Sequence, residues 1–296
     1  MTIDKNASAP FDGSSDVDLI ITTTADDSSK IHFFLSIPLL SIASPYFREI
    51  QERRANSIPA GTKKRSAKAL EPERWIVEEP TDVIEFLLRF VYPVQDPKLE
   101  YHEDVGAVYE AAVKYRFDFV VDKIREILVS PKFMEEPVRV YAMARRYGLN
   151  KEANLAARAS MAEKAEWPRY DELNHITGGE FHQLLQLHRD RAKAAVKLLN
   201  TYISPTKRDQ TLCYPCCQKK RESIWWDSYV KKAVELLKET PVSDVICNAE
   251  LLMQVCLDPT NAKCLGCLEK ARVALKPGGL IESLRHKIDE LPADVV

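Results

Sequence analysis

The spacing of apolar residues changes its period within one stretch, residues 30–48. In its first part apolar residues recur at every second position (Ile31, Phe33 and Leu35), which predicts a half-buried strand. The spacing then becomes helical, which predicts a helix with one inward-facing stripe, made of Ile37, Leu40, Ser41, Ser44 and Phe47. Upstream, residues 16–21 predict a second strand that pairs with the first across a turn at 26–29.

Two other parts of the N-terminal half carry few apolar residues. Residues 1–14 are small and polar, which predicts a disordered tail. Residues 52–74 hold seven basic residues against three acidic ones. We interpret this segment as a solvated basic loop, with a nuclear-import signal at Lys63-Lys64-Arg65 as the alternative. Residues 75–77 predict the strand by which the chain re-enters the sheet.

From residue 81 onward the pattern is helical to the end of the chain. Apolar residues at helical spacing predict several short helices up to residue 162, with breaks at Pro93, Pro131 and Gly148. A longer helix should begin at a capping box formed by Thr177 and Glu180 and run to about residue 202. Its basic residues are expected on a salt-bridged outer face, namely Arg189, Arg191, Lys193 and Lys197. Four further helices are predicted at 223–238, 248–257, 263–276 and 280–291.

Composition narrows the class of protein. A hydrophobic content of 45% and a charged content of 29% are typical of an ordinary globular chain, and 296 residues suffice for two domains. A net charge of -2 favours neither nucleic acid nor an anionic membrane as a partner. Apolar runs are too short to span a bilayer, and the N-terminus does not match a signal peptide. We therefore expect an intracellular protein, cytoplasmic or nuclear, whose seven cysteines are thiols or metal ligands.

Cysteine spacing is the strongest local chemical signal. Cys213 and Cys216 form one C-x2-C pair, and Cys264 and Cys267 form a second. Two such pairs can complete the tetrahedral four-sulfur shell of one structural zinc ion, although the 47 residues between them exceed the usual spacing. Unliganded structural thiols and a thiol-redox centre are the alternatives, and Cys217 could replace Cys216 as a ligand. Cys247 and Cys256 are interpreted as ordinary core cysteines.

Catalytic motifs do not occur in the sequence. Neither the phosphate-binding G-x-x-x-x-G-K-[ST] pattern nor the G-x-S-x-G pattern of hydrolases is present, and nine glycines make a phosphate-cradling loop improbable. The histidines are scattered, and Trp225 and Trp226 are expected to pin the C-terminal helices together. We therefore predict no catalytic residues, no bound cofactor other than zinc, and no small-molecule substrate.

An ordered set of segments carries a family resemblance: DVDLII, a second strand, LLSIASPYF, WIVEEP and LLRFVYP. This set resembles a BTB/POZ domain of the divergent kind found in fungal proteins. The resemblance implies an α+β fold, a small sheet with surrounding helices, over residues 15–130, with the basic loop as an insertion. A helical extension at 131–203 and a cysteine-containing helical region at 211–296 would follow. Similar cysteine pairs around a Trp-Trp segment also occur in such proteins.

What the resemblance implies about function is non-catalytic protein–protein interaction, often with self-association. Better-known members pair an Asp on the first strand with basic residues at the strand–helix corner. Asp16 matches the former, whereas Ser36 and Ile37 occupy the corner.

The expected function is a scaffold that binds itself, another BTB protein or other polypeptides through the first strand and the adjoining helix. The interface candidates are Asp16, Leu39, Leu40, Tyr46 and Phe47, and the alternative for the last four is the monomer core. A substrate-recruiting adaptor of a cullin-type ubiquitin ligase and a nuclear transcription co-factor are the alternative functions.

Overall fold

The computed structural model describes residues 3–13, 17–25, 29–56, 71–202, 224–258 and 264–295. The chain divides into two compact units, Met1–Phe133 and Met134–Val296. The first unit combines a small sheet with helices, and the described part of the second is helical, so the chain belongs to the mixed α+β class.

Four strands form the sheet of the first unit: β1 (Ile3–Asn6), β2 (Leu19–Ala25), β3 (Ser29–Leu35) and β4 (Glu73–Ile76). Their order is β1-β3-β2-β4. The predicted hairpin is confirmed, because β2 and β3 pair antiparallel with Ile21 opposite Phe33. The predicted re-entry is confirmed as well, since β4 pairs parallel to β2 with Trp75 beside Ile21.

The N-terminal residues differ from the expected disordered tail. Residues of β1 pair parallel to β3, and Phe11 is buried with its ring edge-on to that of Tyr92, 5.1 Å between centroids. The main-chain carbonyl of Phe11 also accepts a hydrogen bond from the Phe34 N–H at 3.0 Å. One aromatic ring and one free strand edge therefore hold a segment whose composition suggested disorder.

The helices of the first unit fall into two groups along the chain. α1 (Ile37–Ala43) and α2 (Pro45–Asn56) lie between β3 and β4. α3 (Thr81–Val91), α4 (His102–Lys114) and α5 (Asp118–Leu128) follow β4. The stripe predicted to face inward is buried at all five of its positions. The single expected helix is two, however, because Ser44 precedes a proline and adopts an extended conformation, with φ -141° and ψ 128°.

The second unit is built from seven α-helices in its described part. They are α6 (Pro137–Arg146), α7 (Asn150–Ser160), α8 (Gly178–Thr201), α9 (Ile224–Glu239), α10 (Ala249–Leu257), α11 (Leu265–Ala274) and α12 (Leu280–Asp289). Short 3-10 turns lie at Phe133–Glu135, Asp171–His175 and Ser243–Val245. The predicted capping box at the start of α8 is confirmed in both of its hydrogen bonds.

A hydrophobic core joins α8 to the four helices that follow it. Trp225, Trp226 and Tyr229 lie at its centre, as predicted for the tryptophans, with the rings of Trp226 and Tyr229 5.1 Å apart. The interpretation of Arg191 as an outer-face residue is wrong, because this side chain is buried among the ends of α9 and α12.

Candidate interaction surface

The corner between β3 and α1 is held by a hydrogen bond from the main chain to a tyrosine side chain. Ser36 precedes α1, and its N–H donates to the Tyr92 hydroxyl at 3.0 Å, while its side chain makes no capping hydrogen bond. Ile37 is buried. Where the resembled family has charged groups, this chain therefore has a short polar residue and a core residue.

Two of the predicted interface residues belong to the core. Leu40 and Phe47 are buried, so the core alternative applies to them. Leu39 and Tyr46 are half-buried, and each keeps part of its side chain at the surface. Asp16 lies outside the described residues.

Tyr46 and Phe47 are fixed by an aromatic cluster. The Phe47 ring stacks on Trp75 at 5.7 Å with an interplanar angle of 20°, and Tyr46 meets Trp75 edge-on at 6.1 Å. Phe117 packs against Phe47 at 5.6 Å. Aromatic pairs of this kind are stabilising beyond the area that they bury. Helix α2 is therefore anchored to β4 and to the residue that precedes α5.

Polar groups beside the cluster have defined charge states. The Glu79 carboxylate accepts hydrogen bonds from the Lys114 ammonium and the Tyr115 hydroxyl. Burial works to raise the pKa of Glu79, but the Lys114 hydrogen bond and charge outweigh it, so the pKa lies below its usual value. Burial raises the pKa of Tyr115 well above its ordinary value, and the adjacent Glu79 carboxylate adds to this. The carboxylate is therefore ionised and the phenol neutral at physiological pH.

The most exposed large apolar side chain in the described part of the first unit is Ile42 on α1, at 82% exposure. It lies three residues from the half-buried Leu39, so the two share the outer side of α1. Sequence reasoning passed over Ile42 because it falls off the inward stripe. The feature of the sequence that could have identified Ile42 is an isoleucine on the side of the helix that is normally polar.

The cysteines fall into three groups. Cys213 and Cys216 lie outside the described residues, as does Cys217. Cys264 immediately precedes α11 and is half-buried, and Cys267 is buried one turn later. Cys247 and Cys256 are buried in the core, as predicted, and burial raises the pKa of the Cys247 thiol to about 12. Cys247 is thus an unreactive thiol at neutral pH.

No group of three or more His, Cys, Asp or Glu residues converges as a metal site within the described ranges. A groove of about 390 Å³ lies between α8 and the C-terminal segment. Its Arg191 guanidinium already donates to main-chain carbonyls, and Asp294 pairs with Arg158, so these charges are engaged within the protein.

None of the helices in the described ranges combines the length and the apolar character needed to cross a membrane. In comparisons with known proteins, no family model matches this chain and no curated protein matches it.

Proposed function

We propose that this chain is a non-catalytic protein–protein interaction scaffold whose first unit is a BTB/POZ-like domain. The domain would associate with itself, or with another domain of its kind, through the outer side of α1. The helical second unit would serve as the surface for a further polypeptide.

Support comes first from the segments that carry the family resemblance. They fold as consecutive elements of one unit: the hairpin β2–β3, the helix pair α1–α2, the returning strand β4 and helix α3. A small sheet with surrounding helices is what the resemblance implies. Aromatic contacts between α2 and β4 hold α2 on the sheet, and α1 packs against α2.

The observation that carries the proposal is the exposure of Ile42. Leaving a side chain of this size in water forgoes roughly 1.5–3 kcal/mol relative to burying it. Single exposed apolar residues are common, but this one lies on the helix that the resemblance assigns to the interface, next to half-buried Leu39. Burial of both side chains against a second domain would recover that free energy.

Sedimentation equilibrium of the whole chain over a range of concentrations tests this proposal. The wild type should be larger than a monomer, and Ile42→Asp should weaken the association because a carboxylate would have to be desolvated. Val113→Asp is the matched control, since Val113 is an exposed apolar residue on α4 of the same unit. Equal weakening by both variants, or no effect of Ile42→Asp, would reject α1 as the interface.

A pull-down with the same variants separates the scaffold from the adaptor of a ubiquitin ligase. Recovery of a cullin with the wild type would favour the adaptor function. Salt-sensitive retention on DNA would favour the transcription co-factor instead.

We further propose that one structural zinc ion stabilises the C-terminal region through Cys213, Cys216, Cys264 and Cys267. The support is local: Cys264 and Cys267 lie one turn apart at the start of α11, a spacing at which a C-x2-C pair can share an ion. Four thiolates leave no open coordination position, so such an ion would be structural rather than catalytic.

A further inference from the structure

Helix α11 has its small residues inside and its large apolar residues outside. Its buried side consists of Cys267, Ala271 and Ala274. On its outer side Leu265 is 83% exposed and Leu268 is 49% exposed. Each methylene group removed from water contributes about 0.8 kcal/mol, so burying alanine while exposing leucine is unfavourable for a surface helix in isolation. The outer side of α11 therefore presents large apolar side chains to solvent.

The exposed residues of α11 follow the spacing of a helix-pairing seam. Leu265, Leu268, Arg272 and Leu275 are separated by three, four and three residues, the a/d spacing of a two-helix interface. Leu275 caps the helix in a helical conformation and is 38% exposed. The neighbouring helix α10 packs against α11 and itself carries two exposed apolar side chains, Met253 and Leu257.

We propose that this seam is a homotypic interface, in which α11 packs antiparallel against α11 of a second copy of the chain. The three-four-three spacing reads the same in both directions. A two-fold axis across the helix therefore places Leu265 opposite Leu275 of the second copy and Leu268 opposite Arg272 of the second copy. Every position of the seam then has a counterpart.

Charge favours the antiparallel pair over a parallel one. Glu269 follows Leu268, so in the antiparallel pair Arg272 lies beside Glu269 of the second copy, and the same ion pair forms twice. A parallel pair would instead bring Arg272 against Arg272, which is repulsive. The chain thus supplies both the leucines and the opposite charges that its own seam requires.

The size of the seam sets the strength of the dimer. Interfaces of standard size bury about 800 Å² on each partner. A seam along the three turns of one helix is smaller. The dimer formed by this seam should therefore dissociate on dilution.

A charge swap in the whole chain provides the first test, followed by sedimentation. Arg272→Glu should weaken the association roughly tenfold, because it places two carboxylates side by side at each ion pair. The double variant Glu269→Arg with Arg272→Glu should restore it, since the pairs are reversed rather than lost. Arg189→Glu, at an exposed position of α8, is the control for net charge. Failure of the double variant to restore association while both variants stay folded would overturn the antiparallel pairing.

Photo-crosslinking gives the direction and the partner independently. A mixture of ¹⁵N-labelled and unlabelled chains carrying Leu275→p-benzoylphenylalanine should yield a crosslink between copies into tryptic peptide 264–270. A crosslink into tryptic peptide 273–285 would show a parallel pair, and crosslinks only to other proteins would show a heterotypic seam. Either result, or none between copies, overturns the proposal.

The same crosslink should persist in Ile42→Asp. If no crosslink forms between copies that keep Ile42, and Ile42→Asp still weakens association, the α11 seam is rejected and the proposed function stands. If the crosslink forms and Ile42→Asp does not change association, the α11 seam stands and the proposed α1 interface is rejected.

Discussion

Arg191 in the middle of α8 donates a hydrogen bond from Nη2 to the main-chain carbonyl of Ile288, at 3.0 Å, near the end of α12. The last carbonyls of a helix have no partner within the helix. The same guanidinium also reaches the carbonyls of Leu291 and Pro292, and its Nε donates to Pro241 at 3.0 Å after the end of α9. One side chain, only 6% exposed, therefore ties three helices together.

Replacing this guanidinium by an ammonium should destabilise the second unit. Arg191→Lys keeps the charge but loses the planar set of donors, and several buried carbonyls would be left without partners. We expect the free energy of unfolding to fall by about 2–3 kcal/mol in urea denaturation. Arg189→Lys, on the exposed side of the same helix, should change it by less than about 0.5 kcal/mol. Equal effects would mean that the carbonyl contacts contribute little.

A second buried pair in this unit links α7 and α8. The Ser160 hydroxyl donates to the Ala157 carbonyl at 2.8 Å, and that carbonyl can only accept. The contact of 3.0 Å between Ser160 Oγ and His188 Nε2 is therefore donated by the imidazole, which leaves Nδ1 unprotonated, buried and without a hydrogen-bond partner. The Trp167 ring lies edge-on over the imidazole at 5.0 Å.

Acid should therefore weaken the second unit. Burial lowers the pKa of His188 from 6.5 to about 4, so the unfolded chain takes up the proton first as the pH falls. This contribution is fully present above pH 6.5 and is lost progressively down to about pH 4, by roughly 3 kcal/mol in total. Urea denaturation at a series of pH values measures it.

Two variants check the assignment to His188. His188→Gln should flatten the pH dependence in this window, whereas His182→Gln, at an exposed position of α8, should leave it unchanged. If His188→Gln is too unstable to measure, the imidazole resonances of the wild type serve instead. Those of His188 should not titrate between pH 7 and 5, and a normal titration would contradict the buried neutral imidazole.

The start of α2 is capped by the hydroxyl of Ser44. Ser44 is buried, its Oγ donates to the Tyr115 carbonyl at 2.6 Å, and it accepts from the Tyr46 N–H at 3.1 Å. Ser44→Ala removes the cap of α2 and leaves a buried carbonyl without its partner, so stability should fall by about 1–2 kcal/mol. Ser36→Ala is the matched control, because Ser36 precedes α1 without a side-chain cap. Thermal denaturation of both variants would compare them, and equal losses would contradict the capping role.

Local pattern predicted most of the elements, since periods of two and 3.6 residues are set by neighbouring positions alone. It failed where a distant contact decides. In the sequence, the neighbours of Arg191 are typical of a surface position on a helix. Its hydrogen-bond acceptors, however, lie 50 and 97 residues away along the chain. The N-terminal strand likewise depends on an edge of β3 that no local pattern reveals. Exposure of Ile42 and of the α11 leucines could be found only once their neighbours were placed.

The zinc proposal makes a prediction that does not depend on association. Purified chain should contain about one equivalent of zinc by mass spectrometry, and Cys267→Ser should lose it, because three thiolates bind more weakly than four. Cys256→Ser provides the control, since Cys256 is a buried core cysteine that belongs to neither C-x2-C pair. A chelator should lower the melting temperature of the wild type and of the control but not that of Cys267→Ser. Zinc-free protein with reduced thiols would favour unliganded structural thiols. A reversible Cys213–Cys216 disulfide in zinc-free protein would favour redox chemistry. Either outcome would contradict the zinc proposal, because the four sulfur atoms would then bind no metal.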